Sequence, residues 1–120
     1  MRPHEKLDAW SIAMDFLVEA YRTTETFPKE EKFGLVYQIR RAAVSVPANI
    51  AEGAARQSDK EFIYFLSNAQ GSASELDTEL IIARRLGYIE DERLIELRTM
   101  LGKVGRLITG LSQHLKRKAQ

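Results

Sequence analysis

Residues 58–87, SDKEFIYFLSNAQGSASELDTELIIARRLG, decide the fold. Within them Phe62, Leu66, Ala69, Ala73, Leu76, Leu80 and Ala83 recur at intervals of four and three, the spacing that stacks side chains along one face of an α-helix. Both ends are punctuated. Ser58-Asp59-Lys60-Glu61 fits a capping box, in which the Ser oxygen and the Glu carboxylate satisfy otherwise orphaned N–H groups. Gly87 stands where a left-handed residue closes a helix. Helical from Ser58 to Leu86, the segment is roughly 40 Å long at 1.5 Å per residue. A rod of that length with one apolar seam needs partners of similar length.

Those partners lie on either side. Downstream, Asp91 is placed to cap a helix whose Leu94, Leu97, Leu101, Val104, Ile108, Leu111 and Leu115 share one side, with a basic tail at Lys116-Arg117-Lys118-Ala119-Gln120 expected to fray. Upstream, Pro28 followed by Lys29-Glu30-Glu31 reads as a helix start, and Leu35, Val36, Ile39, Ala42, Ala43, Val46 and Ile50 form an apolar face that Gly53 ends. Before it, Leu7, Trp10, Met14, Leu17 and Tyr21 mark a first stripe. The reading is one all-α domain over residues 1–120, with helices over 7–24, 28–53, 58–86 and 91–116. Short connections between long helices favour an antiparallel up-down-up-down four-helix bundle.

Composition narrows the chemistry. With 44% hydrophobic and 29% charged residues the chain suits one globular core rather than a disordered or fibrous protein. No cysteine is present, so disulfides, thiolate metal sites and cysteine nucleophiles are excluded. The two histidines, His4 and His114, belong to no Glu-x-x-His pair, and no serine sits in a glycine-flanked nucleophile turn; the expectation is no enzyme, no metal and no cofactor. No apolar run long enough for a membrane span is present and Met1 to Asp8 is charged, so the expected address is the cytoplasm. The net charge of +1 conceals an asymmetry: from Arg93 onward seven cations face one acid, Glu96, on an otherwise acidic body.

Three constellations are candidates for function. Pro47 inside a helix removes a donor and crowds the Ala43 carbonyl at a cost of about 3 kcal/mol, so a kink relieved by Ser45 or Asn49 is expected. Gln38, Arg41, Ser45, Asn49 and Glu52 step by three and four along one polar strip, suited to an intersubunit seam or, alternatively, a small-molecule pocket. Arg40, Arg41, Arg56, Arg84, Arg85, Arg98, Lys103, Arg106 and Arg117 are candidate phosphate contacts. Arginine suits carboxylates equally, and Glu52, Glu75 and Glu79 are available; on the last helix only Glu96 lies close in sequence. No aromatics interleave with the basic residues in the way base-stacking surfaces require.

The run Gln38 to Gly53, QIRRAAVSVPANIAEG, closely resembles the family of four-helix proteins known as 23S ribosomal RNA intervening-sequence proteins. A second block agrees in order and spacing: Phe62 to Leu66, Ala69-Gln70-Gly71-Ser72, Glu75-Leu76, Thr78, Leu80, Ala83 and Leu86-Gly87-Tyr88. The resemblance covers essentially the whole domain and implies a bacterial ring-forming protomer, a homopentamer, with no reaction. It marks Gln38, Arg41, Ser45, Pro47, Asn49, Glu52, Gly53 and Glu75 as motif and interface candidates. The family is similar in turn to accessory proteins of diversity-generating retroelements, which engage nucleic acid and a reverse transcriptase through basic surfaces. The functional expectation is a homo-oligomeric accessory protein that binds structured RNA or DNA; the alternative is an adaptor ring that binds a protein partner without nucleic acid.

Overall fold

The apolar seams meet one another in a computed structural model that describes residues 1–118. A 3-10 turn at Pro3–Lys6 leads into α1 (Asp8–Thr24); a second at Lys29–Glu31 precedes α2 (Leu35–Ala54), and α3 (Asp59–Arg85) and α4 (Asp91–Lys118) follow. Among the described residues there is no strand. The backbones of α1 and α3 each approach those of α2 and α4 but not one another, and α2 and α4 likewise stand across the core, so four helices enclose one core in a body of 48 × 22 × 22 Å.

α3 buries Leu66, Ala69, Ala73, Leu76, Leu80 and Ala83, with Phe62 half-buried beside them. α4 adds Leu97, Leu101, Val104, Ile108 and Leu115; α2 adds Val36, Ile39, Ala42, Ala43, Val46, Pro47 and Ile50. In α1 the buried stripe is Ala9, Ala13, Phe16 and Ala20, turned away from the larger residues the spacing favours. Leu7, Trp10 and Leu17 pack at its margins and Tyr21 is exposed. Alanines let the α1 backbone approach its neighbours, and the bulkier side chains fill the flanks.

Helix ends follow local chemistry. At Ser58 the hydroxyl oxygen accepts the Glu61 N–H at 3.1 Å and donates to the Glu61 carboxylate, so the Glu side chain holds the cap rather than the Ser58 N–H. Gly87 has φ +80°, and the bonds from Tyr88 N–H to the Ala83 carbonyl and from Gly87 N–H to that of Arg84 close α3. α2 does not begin at Pro28. That proline opens only the short turn, and α2 starts at Leu35, whose N–H donates to Glu31 Oε1 at 3.1 Å while the Tyr88 hydroxyl donates to Glu31 Oε2 at 2.8 Å. The Leu35 N–H first, then the Tyr88 hydroxyl, hold the Glu31 carboxyl below its ordinary range, and the bond to Glu31 raises the Tyr88 hydroxyl above its own. Asp91 sits inside the first turn of α4, where Glu90 supplies the first accepting carbonyl and Arg84 takes the Asp91 carboxylate. α4 continues through Lys118 where fraying was expected from Lys116; Ala119 and Gln120 lie outside the described residues.

Candidate nucleic-acid interface

The polar strip of α2 turns toward α3. Ser45 Oγ lies 2.8 Å from Ser72 Oγ, and Asn49 Nδ2 donates to the Ser45 carbonyl at 2.8 Å and to Ser45 Oγ at 3.0 Å. The amide therefore serves the carbonyl of Ser45 rather than the Ala43 carbonyl that Pro47 deprives of its donor. Pro47 is buried in a helix that continues past it to Ala54. Burial of neighbouring Ile39, Val46 and Ile50, at about 1.5–3 kcal/mol each, outweighs the proline's cost of about 3 kcal/mol. Gly53 is not the helix stop either. A Cβ there would come within 2.9 Å of both Phe62 Cδ1 and Phe65 Cβ, so the glycine marks a close approach of α2 and α3.

On α3 the residues Phe65, Asn68, Ser72, Glu75 and Glu79 step by three, four, three and four beside that strip. Glu79 is 5% exposed and its Oε1 has no hydrogen-bond partner. Burial first, then the adjacent Glu75 carboxyl, push its acid up to about 8. Among the described residues neither Glu75 nor Glu79 lies within ion-pair distance of a cation, although both were available partners for arginine. Gln38 and Arg41 are exposed on the same side of α2.

The arginine candidates divide. Arg56 pairs with Glu52 at 2.7 Å, Arg84 with Asp91, and Arg98 with both oxygens of Asp77 at 2.7 and 3.3 Å. Arg40 is drawn inward: its Nε donates to Thr24 Oγ1 at 2.9 Å and its guanidinium lies 4.5 Å from the Tyr21 ring centroid. The last helix has more acids in reach than Glu96. Arg93 also meets Glu19 at 2.7 Å, and the bond from Arg93 is the main reason the Glu19 carboxyl falls below its ordinary range; Lys118 meets Asp59 at 3.5 Å. Arg41, Arg85, Lys103, Arg106 and Arg117 form no ion pair among the described residues. Lys103, Arg106, Gly110, Gln113 and Arg117 step by three and four along one exposed stripe of α4, roughly 21 Å from end to end.

Two features escaped the sequence reading. Glu31 and Tyr88, 57 residues apart, tie the start of α2 to the α3–α4 corner. Exposed Tyr64 stands with Phe65 beside Arg56 and Lys60, so aromatics do meet cations on this surface.

Four helices about one core, with a hydrogen-bonded polar cluster between α2 and α3 and an unpaired cationic stripe on α4 among the described residues, define a small all-α protein whose distinctive chemistry lies on its surface. Within that class the chain belongs to the 23S rRNA-intervening sequence protein family, whose model matches residues 5–110. Among solved structures it is similar to a protein of unknown function from the S23 ribosomal protein family of Bacteroides thetaiotaomicron VPI-5482, with 24% identity, a TM-score of 0.78, and coverage of 87% of this chain and 97% of that one. At that identity the likeness establishes the fold. Comparison with curated proteins returns no match.

Proposed function

We propose that this chain is a non-enzymatic accessory protein whose protomers close into a homo-oligomeric ring, five copies on the family's pattern, and bind structured RNA or DNA through backbone phosphates. Each protomer is an antiparallel up-down-up-down bundle. In support, contacts from Asp59 to Lys118, Gln70 to Gly105 and Thr109, Asp77 to Arg98, and Arg84 to Asp91 advance along α3 while retreating along α4. The observation that carries the binding reading is the stripe of Lys103, Arg106 and Arg117, three exposed cations with no acid of their own among the described residues. Repetition around a ring makes a band of such stripes, where counterion release drives binding without sequence preference.

The adaptor reading draws on different observations: the net charge is +1, and Arg56, Arg84 and Arg98 are already neutralised within the chain. Titration of labelled duplex RNA and duplex DNA at several salt concentrations separates the two. Nucleic-acid binding requires affinity that falls steeply with salt, with the slope reduced by about 1 for each cation removed in Arg106→Ala and Arg117→Ala. Arg98→Ala, whose guanidinium is committed to Asp77, changes the slope less. Undetectable binding in dilute buffer selects the adaptor.

A further inference from the structure

The corner between α2 and α3 carries a cluster that the cationic stripe does not include. Arg56 follows the end of α2, with its guanidinium 4.8 Å from the centroid of the Phe65 ring. Tyr64 meets Phe65 edge to face, the centroids 5.3 Å apart at 81°, and remains 62% exposed. With Lys60 and Glu61 these residues line an open cleft of about 450 Å³, within the ~300–1,000 Å³ range of small-ligand sites. The last turn of α4 arrives at the same corner through the contact of Lys118 with Asp59.

Charge and shape together select a ligand. Arg56, Lys60, Lys116 and Lys118 outnumber Glu52, Asp59 and Glu61 at this end of the molecule, without counting Arg117 of the stripe. The Arg56–Glu52 pair is solvent-exposed, so it contributes little and exchanges readily for phosphate. Glu61 is engaged by the Ser58 hydroxyl. An apolar partner would strip water from Arg56 and Lys60 without replacing it. A carboxylate ligand would ignore the open ring, and a duplex keeps its bases stacked on each other. An unpaired nucleotide offers a π-face and a phosphate at once.

We propose that Tyr64, flanked by Arg56 and Lys60, is a stacking site for an unpaired nucleobase of single-stranded nucleic acid. It rests on the nucleic-acid reading above and names a second contact within it, separate from the α4 stripe that tracks duplex phosphates.

The test compares labelled oligouridine with a blunt RNA duplex of equal length, by fluorescence anisotropy on the full chain. Tyr64→Ala is expected to weaken oligouridine binding by roughly 5- to 100-fold while leaving the duplex unchanged, and Tyr64→Phe to retain the stacking. Lys60→Ala is expected to reduce the salt slope for oligouridine alone. Unchanged oligouridine affinity in Tyr64→Ala, with duplex binding intact, overturns the stacking site and spares the phosphate reading. Loss of both ligands by the unaltered chain removes both. A change in the mass of Tyr64→Ala in solution assigns this face to another copy of the chain and overturns the proposal.

Discussion

Glu79 is the residue whose surroundings least match its chemistry. Its carboxyl is buried on α3 beside Glu75, one oxygen lacks a partner, and its acid is pushed up to about 8. In the unfolded chain the same group returns to an ordinary value near ~4.3. Between these limits the native state holds a proton that the unfolded state has lost, so this group's contribution falls as pH rises through the window and levels off above about 8. Glu19, Glu31 and Asp91 act in the opposite direction: held below the ordinary range by Arg93, by the Leu35 N–H and by Arg84, they stabilise the fold above it and lose that contribution in acid. Glu79→Gln preserves shape and donor and cannot ionise. Urea unfolding is expected to give matching stabilities for the two proteins at about pH 3.5, below the unfolded value, and an advantage of about 1–3 kcal/mol for the variant at pH 9. A wild type that tracks the variant across that range would mean that Glu79 ionises in the fold without penalty.

α2 and α3 make the most extensive pairing in the molecule, and Gly53 lets them approach closely at one end of it. Gly53→Ala gains about 1 kcal/mol of helix propensity. Against that, the new Cβ would sit 2.9 Å from Phe62 Cδ1 and from Phe65 Cβ, and the second atom is anchored to its own backbone. Overpacking of about 1–3 kcal/mol prevails, and thermal unfolding of the variant is expected several degrees below the wild type. A rise in melting temperature would show that the helices separate at little cost. This position also marks how far the sequence could be read. The seam of α4 was legible because a large residue stands at every inward position, that of α3 because Phe62, Leu66, Leu76 and Leu80 frame its alanines in unbroken register, and the caps at Ser58 and Gly87 because they are local. The α1 stripe was hidden by its alanines, which carry little hydrophobic contrast. Gly53 looked like a stop because spacing within one helix says nothing of how near its neighbour lies. For the same reason Asp77 could not be matched with Arg98, 21 residues away on another helix, nor Arg56 with Phe65 across a corner.

The whole molecule poses the question of how a chain of net charge +1 could hold a polyanion at all. Three cations on one stripe bind weakly alone. A closed ring presents the stripe once per copy, and linked contacts raise avidity by about 10²–10⁴ without new chemistry. The ring reading therefore makes assembly the condition for binding, and the polar side of α2 is where it places the seam. Arg41 tests this, because it is exposed and forms no ion pair within its own chain among the described residues, so its removal costs the protomer little. Light scattering is expected to give the wild type about 68 kDa, five copies of a 13.7 kDa chain. Arg41→Ala is expected to retain its helical circular dichroism, to fall toward one copy, and to lose duplex RNA affinity by about 100-fold as the stripes separate. If Arg41→Ala keeps both the wild-type mass and its affinity, the seam lies elsewhere on the bundle. A wild type that already runs as a single copy would leave the α4 stripe too few charges to act as a nucleic-acid interface, and would overturn the adaptor ring with it.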